Sequence, residues 1–283
     1  MLEAFAAETL KFRRHRATWF LVWIYPIGFL LLSVLLICVG LIQARPETAA
    51  PAASKWIEST AAIWYVPPHM FGRYLIAAFA AFVFAGEYGW NTWKLVVPHR
   101  SRSALIAAKF AMTFLFLYGA FLLTGLLTLL MGWIGDVVLG SPIPEGITAA
   151  ALAKAQYLGA VAALAPVLVT IAYTSLAAVL TRSTIAALVI GLVAVTAEQA
   201  FLGLAPILSI YAPRLVWGLY QLLPGYHFDN LSSWLGQGSA SQTRLPELEP
   251  IAWSWPASLA LVGAWVVGVA GLTFVSFKRQ DIN

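Results

Sequence analysis

Six long apolar runs, separated by shorter polar stretches, dominate the chain. A helix needs roughly 20 apolar residues to cross a hydrocarbon core of about 30 Å. The runs predict spans at 19–42, 70–86, 105–134, 157–180, 184–210 and 256–277. Pro26, Gly28, Ser33 and Gly40 interrupt the first, and Arg73 stands near the start of the second. Only Thr181-Arg182-Ser183 separates the fourth from the fifth, which predicts a tight helical hairpin with Ser183 as the N-cap. Pro26, Pro166 and Pro206 predict kinks in their spans. The first run is too long for a secretory signal and no small-residue cleavage site follows it, so it reads as a retained span.

The segments between the runs have patterns of their own. Over residues 1–17, Leu2, Phe5, Ala6, Leu10 and Phe12 fall on one side of a helical wheel, with Glu3, Glu8, Lys11 and Arg14 opposite. That pattern predicts an amphipathic helix in the membrane interface, with its basic residues suited to anionic headgroups. Its alternative is a basic flank that only fixes topology. In the long segment 211–255, the stretch 215–224 is apolar but too short to span, which predicts a re-entrant or interfacial helix. A polar turn over 239–250 follows, and Trp217, Tyr220, Trp234, Trp253 and Trp255 suit a headgroup belt. The predicted fold is thus an all-α polytopic membrane protein in one transmembrane domain. It has six spans, an N-terminal interfacial helix, and an interfacial segment between the fifth and sixth.

Composition sharpens this picture. Of 283 residues, 61% are hydrophobic and 10% charged, and the mean hydropathy is +0.82. Soluble domains carry about 25% charged residues, so a soluble enzyme, a disordered chain and a nucleic-acid-binding protein are all excluded. The single cysteine, Cys38, lies within an apolar run and offers no intrachain disulfide or cysteine zinc cluster. Eleven of the 17 Lys and Arg residues fall in the N-terminus, the 87–109 segment, the Arg182 turn and the C-terminal tail. The positive-inside rule therefore predicts that both termini face the cytoplasm.

Several chemistries have no residues to carry them. No Gly-x-x-x-x-Gly-Lys-Ser/Thr sequence is present to cradle nucleotide phosphates, and neither His-Glu-x-x-His nor Gly-x-Ser-x-Gly occurs. His15, His69, His99 and His227 lie in four different loops, and His227 with Asp229 supplies two ligands, too few for a metal site. No catalytic residue and no metal site is predicted.

Two groups of residues exceed what topology requires. The polar segment 87–103 is longer than a chain reversal needs. It predicts a short helix around 91–97 ended near Pro98, with Trp90, Trp93 and Leu95 beside Lys94, Arg100 and Arg102. Aromatic anchors rimmed by basic residues suit docking to another protein; the alternative is a basic loop whose tryptophans touch lipid. The second group is Glu198 with Gln199, about 22 Å into the fifth span. An intramembrane carboxylate costs about 2.5–3.5 kcal/mol on insertion scales. Glu198 either lines a substrate path or pairs with Arg73 to fix helix packing, and Asp136 reads as the outer end of the third span. Gly159, Ala160, Ala162, Ala163 and Ala165, and separately Ala264 and Gly268, allow close helix packing.

Gly86-Glu87 followed by Thr92-Trp93-Lys94, then Pro98-x-Arg100, then Ala108-Lys109, resembles the first cytoplasmic loop of ABC-2-type exporter permeases. Glu8-x-Leu10-Lys11-x-Arg13-Arg14 with Trp19 and Pro26 is similar to the lantibiotic-immunity and bacitracin-type branch, and the closing Phe277-Lys278-Arg279-x-Asp281-Ile282 fits the same family. The resemblance implies a multi-pass permease of the bacterial inner membrane that performs no covalent chemistry. It implies a dimer with a second copy or a homologous permease, serving two copies of a separate cytoplasmic ATPase that holds ATP and Mg. Glu87 and the 91–102 stretch, including Trp93, Lys94, Pro98, Arg100 and Arg102, would then form a coupling helix against the ATPase. The Arg182 turn would make a second, smaller contact. The implied cargo is an amphipathic or lipophilic molecule such as a peptide antibiotic. Lipid or glycan export, and an ATP-independent carrier, are the alternatives.

Overall fold

The computed structural model describes residues 2–43, 52–89, 93, 101–246 and 248–280. The described chain is helical, with α1 at Leu2–Arg14, α2 at Arg16–Leu21, α3 at Ile24–Ile42 and α4 at Ala53–Thr60. A 3₁₀ turn at Ala62–Tyr65 leads to α5 at Met70–Gly89, α6 at Arg102–Leu139, α7 at Ala149–Thr181 and α8 at Thr184–Tyr211. The chain then continues through α9 at Pro213–Leu222, α10 at Pro224–Gln237 and α11 at Trp255–Arg279. Six of these, α3, α5, α6, α7, α8 and α11, are long and apolar enough to cross a membrane. Among the described residues the only extended pairing is a single bridge between Thr243 and Ile251.

The first apolar run forms two helices. Proline has no N–H to give to the carbonyl four residues back, and the chain accommodates Pro26 by restarting at Ile24, which places it in the first turn of α3. Val22 and Trp23 both donate to Thr18 O at the break, at 3.0 and 3.4 Å. α6 runs for 38 residues, about 57 Å, well beyond the 105–134 stretch that hydropathy marked. Ser101 Oγ caps its start by accepting from Ala104 N at 3.3 Å, and Gly140 ends it in the left-handed region at φ +67°. α7 and α8 are joined by Arg182 at φ +55° and by Ser183, whose Oγ accepts from Ala186 N at 3.3 Å.

α5 and α7 form the buried centre, while α3, α8 and α11 expose most of their surface. α8 reaches the centre through a stripe of mostly small residues, Ala187, Gly191, Val195, Glu198 and Ala205, spaced three, four or seven apart. A Cβ at Gly191 would stand 2.8 Å from Thr174 Oγ1 and 3.3 Å from Ala77 Cβ, so only glycine permits this approach. On the other flank Trp64 fills a notch at Gly159, where a Cβ would stand 2.5 Å from the indole. Trp64 Nε1 donates to Gln156 Oε1 at 2.7 Å. Asp136 accepts from Trp56 Nε1 at 2.6 Å, tying α4 to the far end of α6.

α1 packs on protein as well as facing outward. Phe12 is buried edge-on against Phe79 and Phe116, at 5.7 and 5.3 Å, and Thr9 Oγ1, which donates to Phe5 O at 2.7 Å, lies 3.6 Å from Met112 Sδ. Leu10, on the apolar side of the wheel, is exposed. The inward face of α1 therefore mixes apolar residues with Glu8 and Lys11, so the binary pattern assigned these two charges to the wrong side.

The 212–254 segment forms a cap at the end of the bundle opposite the termini. α10 begins at Pro224 and buries Gly225, Tyr226, His227 and Phe228. His227 Nε2 donates to Gln221 O at 2.7 Å, which leaves Nδ1 to accept from Ser258 Oγ at 2.9 Å. Asn230 Nδ2 donates to Ser258 Oγ at 2.7 Å and to Trp253 O at 2.9 Å, while Asn230 Oδ1 accepts from Ser241 N at 2.8 Å. Buried polar groups must find partners, and this network ties the polar 239–254 stretch to α10 and α11.

Candidate functional site

Two buried charge clusters stand at opposite ends of α5. At the end away from the termini, Arg73 NH1 and NH2 donate to Glu198 Oε1 and Oε2, each at 3.0 Å. Arg73 Nε donates to Thr170 Oγ1 at 2.9 Å, and that hydroxyl donates onward to Pro166 O at 2.7 Å. The Phe228 ring covers the guanidinium with its centroid 5.3 Å away. Gly225 brings the first turn of α10 against the carboxylate, since a Cβ there would lie 2.8 Å from Glu198 Oε1. The positive end of that helix favours the adjacent anion. Arg73 is 0% and Glu198 4% exposed, so the pair is sealed from solvent in this conformation. Four helices, α5, α7, α8 and α10, thus meet at one forked ion pair. Gln199, next in sequence on α8, is half-buried and has no described bond to the pair.

At the terminal end, Lys109 is 1% exposed. Its Nζ donates to Val83 O at 3.0 Å and lies 3.2 Å from both Glu87 Oε1 and Glu8 Oε1. Lys11 from α1 also pairs with Glu87. Among the described residues, two carboxylates and two ammonium groups from α1, α5 and α6 therefore meet here. Burial pushes the Lys11 ammonium below its usual value and the Lys109 charge pushes it the same way, while Glu8 and Glu87 oppose both.

Of the predicted coupling residues, Glu87 and Trp93 turn inward. Trp93 is 2% exposed, packs on Phe277 at 4.6 Å, and has the Lys109 ammonium 5.3 Å from its ring. Arg102 is half-buried and its NH1 donates to the carbonyls of Phe277, Lys278 and Gln280, at 3.3, 2.9 and 2.5 Å. These are orphan acceptors at the C-terminal end of α11, where a cation is favoured. Arg182 is exposed at the α7–α8 turn. Trp90, Lys94, Pro98 and Arg100, and the predicted helix around 91–97, lie outside the described residues. Glu8, Lys11 and Lys109 were missed as members of this cluster. The available signal was a lysine inside the apolar stretch of α6 facing a glutamate at the end of α5.

The profile of the family described as ABC-2 family transporter protein matches residues 4–198. The chain belongs to the ABC-2 family. The match runs from α1 to Glu198 and so takes in both charge clusters, while α9, α10 and α11 follow it. No curated protein and no solved structure matches the chain. An ABC-2 permease is a multi-pass membrane subunit of a transporter and generally works with an ATPase subunit. The six long helices of this ABC-2 permease fit that plan. His227, one of the few residues able to ligate a metal, has both ring nitrogens engaged within the cap, and its burial holds the imidazole below its usual pKa.

Proposed function

We propose that this ABC-2 permease moves an amphipathic or lipophilic molecule, such as a peptide antibiotic, out of the membrane, driven by a separate cytoplasmic ATPase. The termini lie on the cytoplasmic side, where most of the basic residues collect. The observation that carries this reading is the terminal-end cluster. Glu8, Lys11, Glu87 and Lys109 fasten α1, α5 and α6 together immediately beneath the loop that joins α5 to α6. Trp93 and Arg102 fasten that loop to the end of α11. A push on the loop therefore moves several spans as one body, which mechanical coupling to a partner requires. In this reading Glu87 and Trp93 hold the loop from inside, and Lys94, Arg100 and the exposed Arg182 meet the ATPase.

Dimerisation belongs to the same proposal. Tyr74 and Thr196 bond to each other on an exposed part of the α5–α8 face, close in sequence to the half-buried Gln199. Lipid tails offer polar groups no hydrogen bonds, and a second permease covering this face would shelter them.

The test is a Lys94→Glu, Arg182→Glu double change in the full chain, co-expressed with its ATPase. Loss of co-purifying ATPase and of ATP-driven efflux from vesicles, with membrane insertion intact, is the expected result. Undiminished co-purification overturns the assignment of Lys94 and Arg182 to the ATPase contact, and efflux that proceeds without ATP overturns the reading in favour of a secondary carrier.

A further inference from the structure

Away from the termini, three crevices meet around α10. One, of about 730 Å³, is almost wholly apolar and runs between α7, α10 and α11, lined by Leu164, Leu168, Leu231, Leu259 and Val266 among others. The second, of about 670 Å³, lies between α4, α7 and α10 and carries Trp64, Phe228, Glu58, Lys154 and Asp229. The two share Ala162 and Leu235. The third, of about 630 Å³, continues from Asp229 across Ser232, Ser233, Gln237 and Gln242. A continuous surface thus passes from hydroxyls, amides and charges to bare hydrocarbon.

The dimensions and charges select an occupant. The apolar groove follows α11 from Trp255 to Val267, about 18 Å along the helix. One leaflet contributes about half of a hydrocarbon core some 30 Å thick. The groove therefore begins at the interface and ends near mid-bilayer, the depth of one acyl chain. At its polar neighbour, Glu58 and Asp229 supply two carboxylates and Lys154 one ammonium, all on exposed positions. Two anions with one cation complement a headgroup that pairs an ammonium with a phosphate, and oppose one that is only anionic.

We propose that this surface binds an aminophospholipid of the leaflet opposite the termini, its acyl chain between α7, α10 and α11 and its headgroup beside Glu58, Asp229 and Lys154. The inference rests on the membrane-spanning fold and stands whether or not the export reading holds. The site also touches the buried ion pair, because Phe228 lines the headgroup crevice and covers Arg73. Occupancy therefore bears on the junction of α5, α7, α8 and α10.

The experiment uses the full chain purified in non-ionic detergent and titrated with short-chain phosphatidylethanolamine or phosphatidylglycerol, followed by native mass spectrometry. The wild-type chain should hold the ethanolamine lipid about five-fold more tightly, the worth of one partly exposed ion pair. Glu58→Gln with Asp229→Asn should bring that ratio close to one. Gly263→Phe should abolish binding of both lipids, because a side chain at Gly263 enters open space within the groove and leaves the packing undisturbed. Its elution volume and melting temperature should match the wild type. Equal affinity for the two lipids, a preference that survives the double change, or full binding by a folded Gly263→Phe chain would each overturn the proposal.

Discussion

Arg73 and Glu87 stand fourteen residues apart on α5, about 21 Å along its axis, and both are buried in ion pairs with other helices. One rigid, largely buried helix thus has a charged fastening at each end. Glu87 is tied to α1 and α6, and Arg73 to α7 and α8. A shift of α5 at one fastening is transmitted to the other, since the helix between them has no break.

The Arg73–Glu198 pair should behave as a unit. Removing one partner strands a charge in an apolar interior, which costs about 3–5 kcal/mol. Arg73→Met or Glu198→Leu alone should therefore lower unfolding stability in detergent by that amount, and the double change should recover most of it. Additive losses in the double variant would show that the two side chains act independently.

Lys109 should control the docking of α1. It contacts Glu8 on α1, and also Glu87 and Val83 O on α5. Lys109→Met removes the ammonium that bridges Glu8 of α1 to Glu87 of α5, so residues 5–14 should exchange amide hydrogens faster. Exchange at the wild-type rate would assign α1 docking to Phe12 and the Lys11–Glu87 pair instead.

Trp64 and Gly159 offer a packing test. Gly159→Ala forces the indole aside and should cost about 1–3 kcal/mol. Gly119→Ala meets open space and should be neutral or stabilising by up to about 1 kcal/mol. Thermal melts of the two variants side by side decide the matter; equal shifts would remove the notch from the account.

The cap should weaken in acid. Burial, the larger influence, lowers the His227 pKa from its usual value of 6.5, against a smaller opposing effect of its bond to Gln221 O. A group whose folded pKa is depressed binds its proton more readily in the unfolded chain. Its contribution to stability is therefore complete above about pH 6.5 and is lost as pH falls below it. Hydrogen exchange across 221–241, corrected for intrinsic rates, should rise at pH 5 relative to pH 7.5 in the wild type. The rise should vanish in His227→Gln.

Hydropathy exposed the six long helices because apolar runs of that length have no other stable solvent. Glu198 and Arg73 stood out for the converse reason, as charges where charges are costly. Lys109 and Glu8 were harder to read. Lys109 counts equally well as a basic flank, and a wheel places Glu8 opposite Leu2 and Leu10 without revealing a buried ammonium waiting for it. The cap was partly legible, since the apolar stretch 215–224 was too short to span. The network through Ser258, Asn230 and Trp253 depends on chain reversals that no local pattern encodes.

α6 is nearly twice as long as a bilayer's hydrocarbon is thick, and it is unbroken from Arg102 to Leu139. Such a rod works as a lever pivoted beside the N-terminal helix. A tilt of about 5° about its near end carries the other tip through roughly 5 Å, given a length of about 57 Å. Trp56 is hydrogen-bonded to Asp136 near that tip, so α4 is drawn along the same arc.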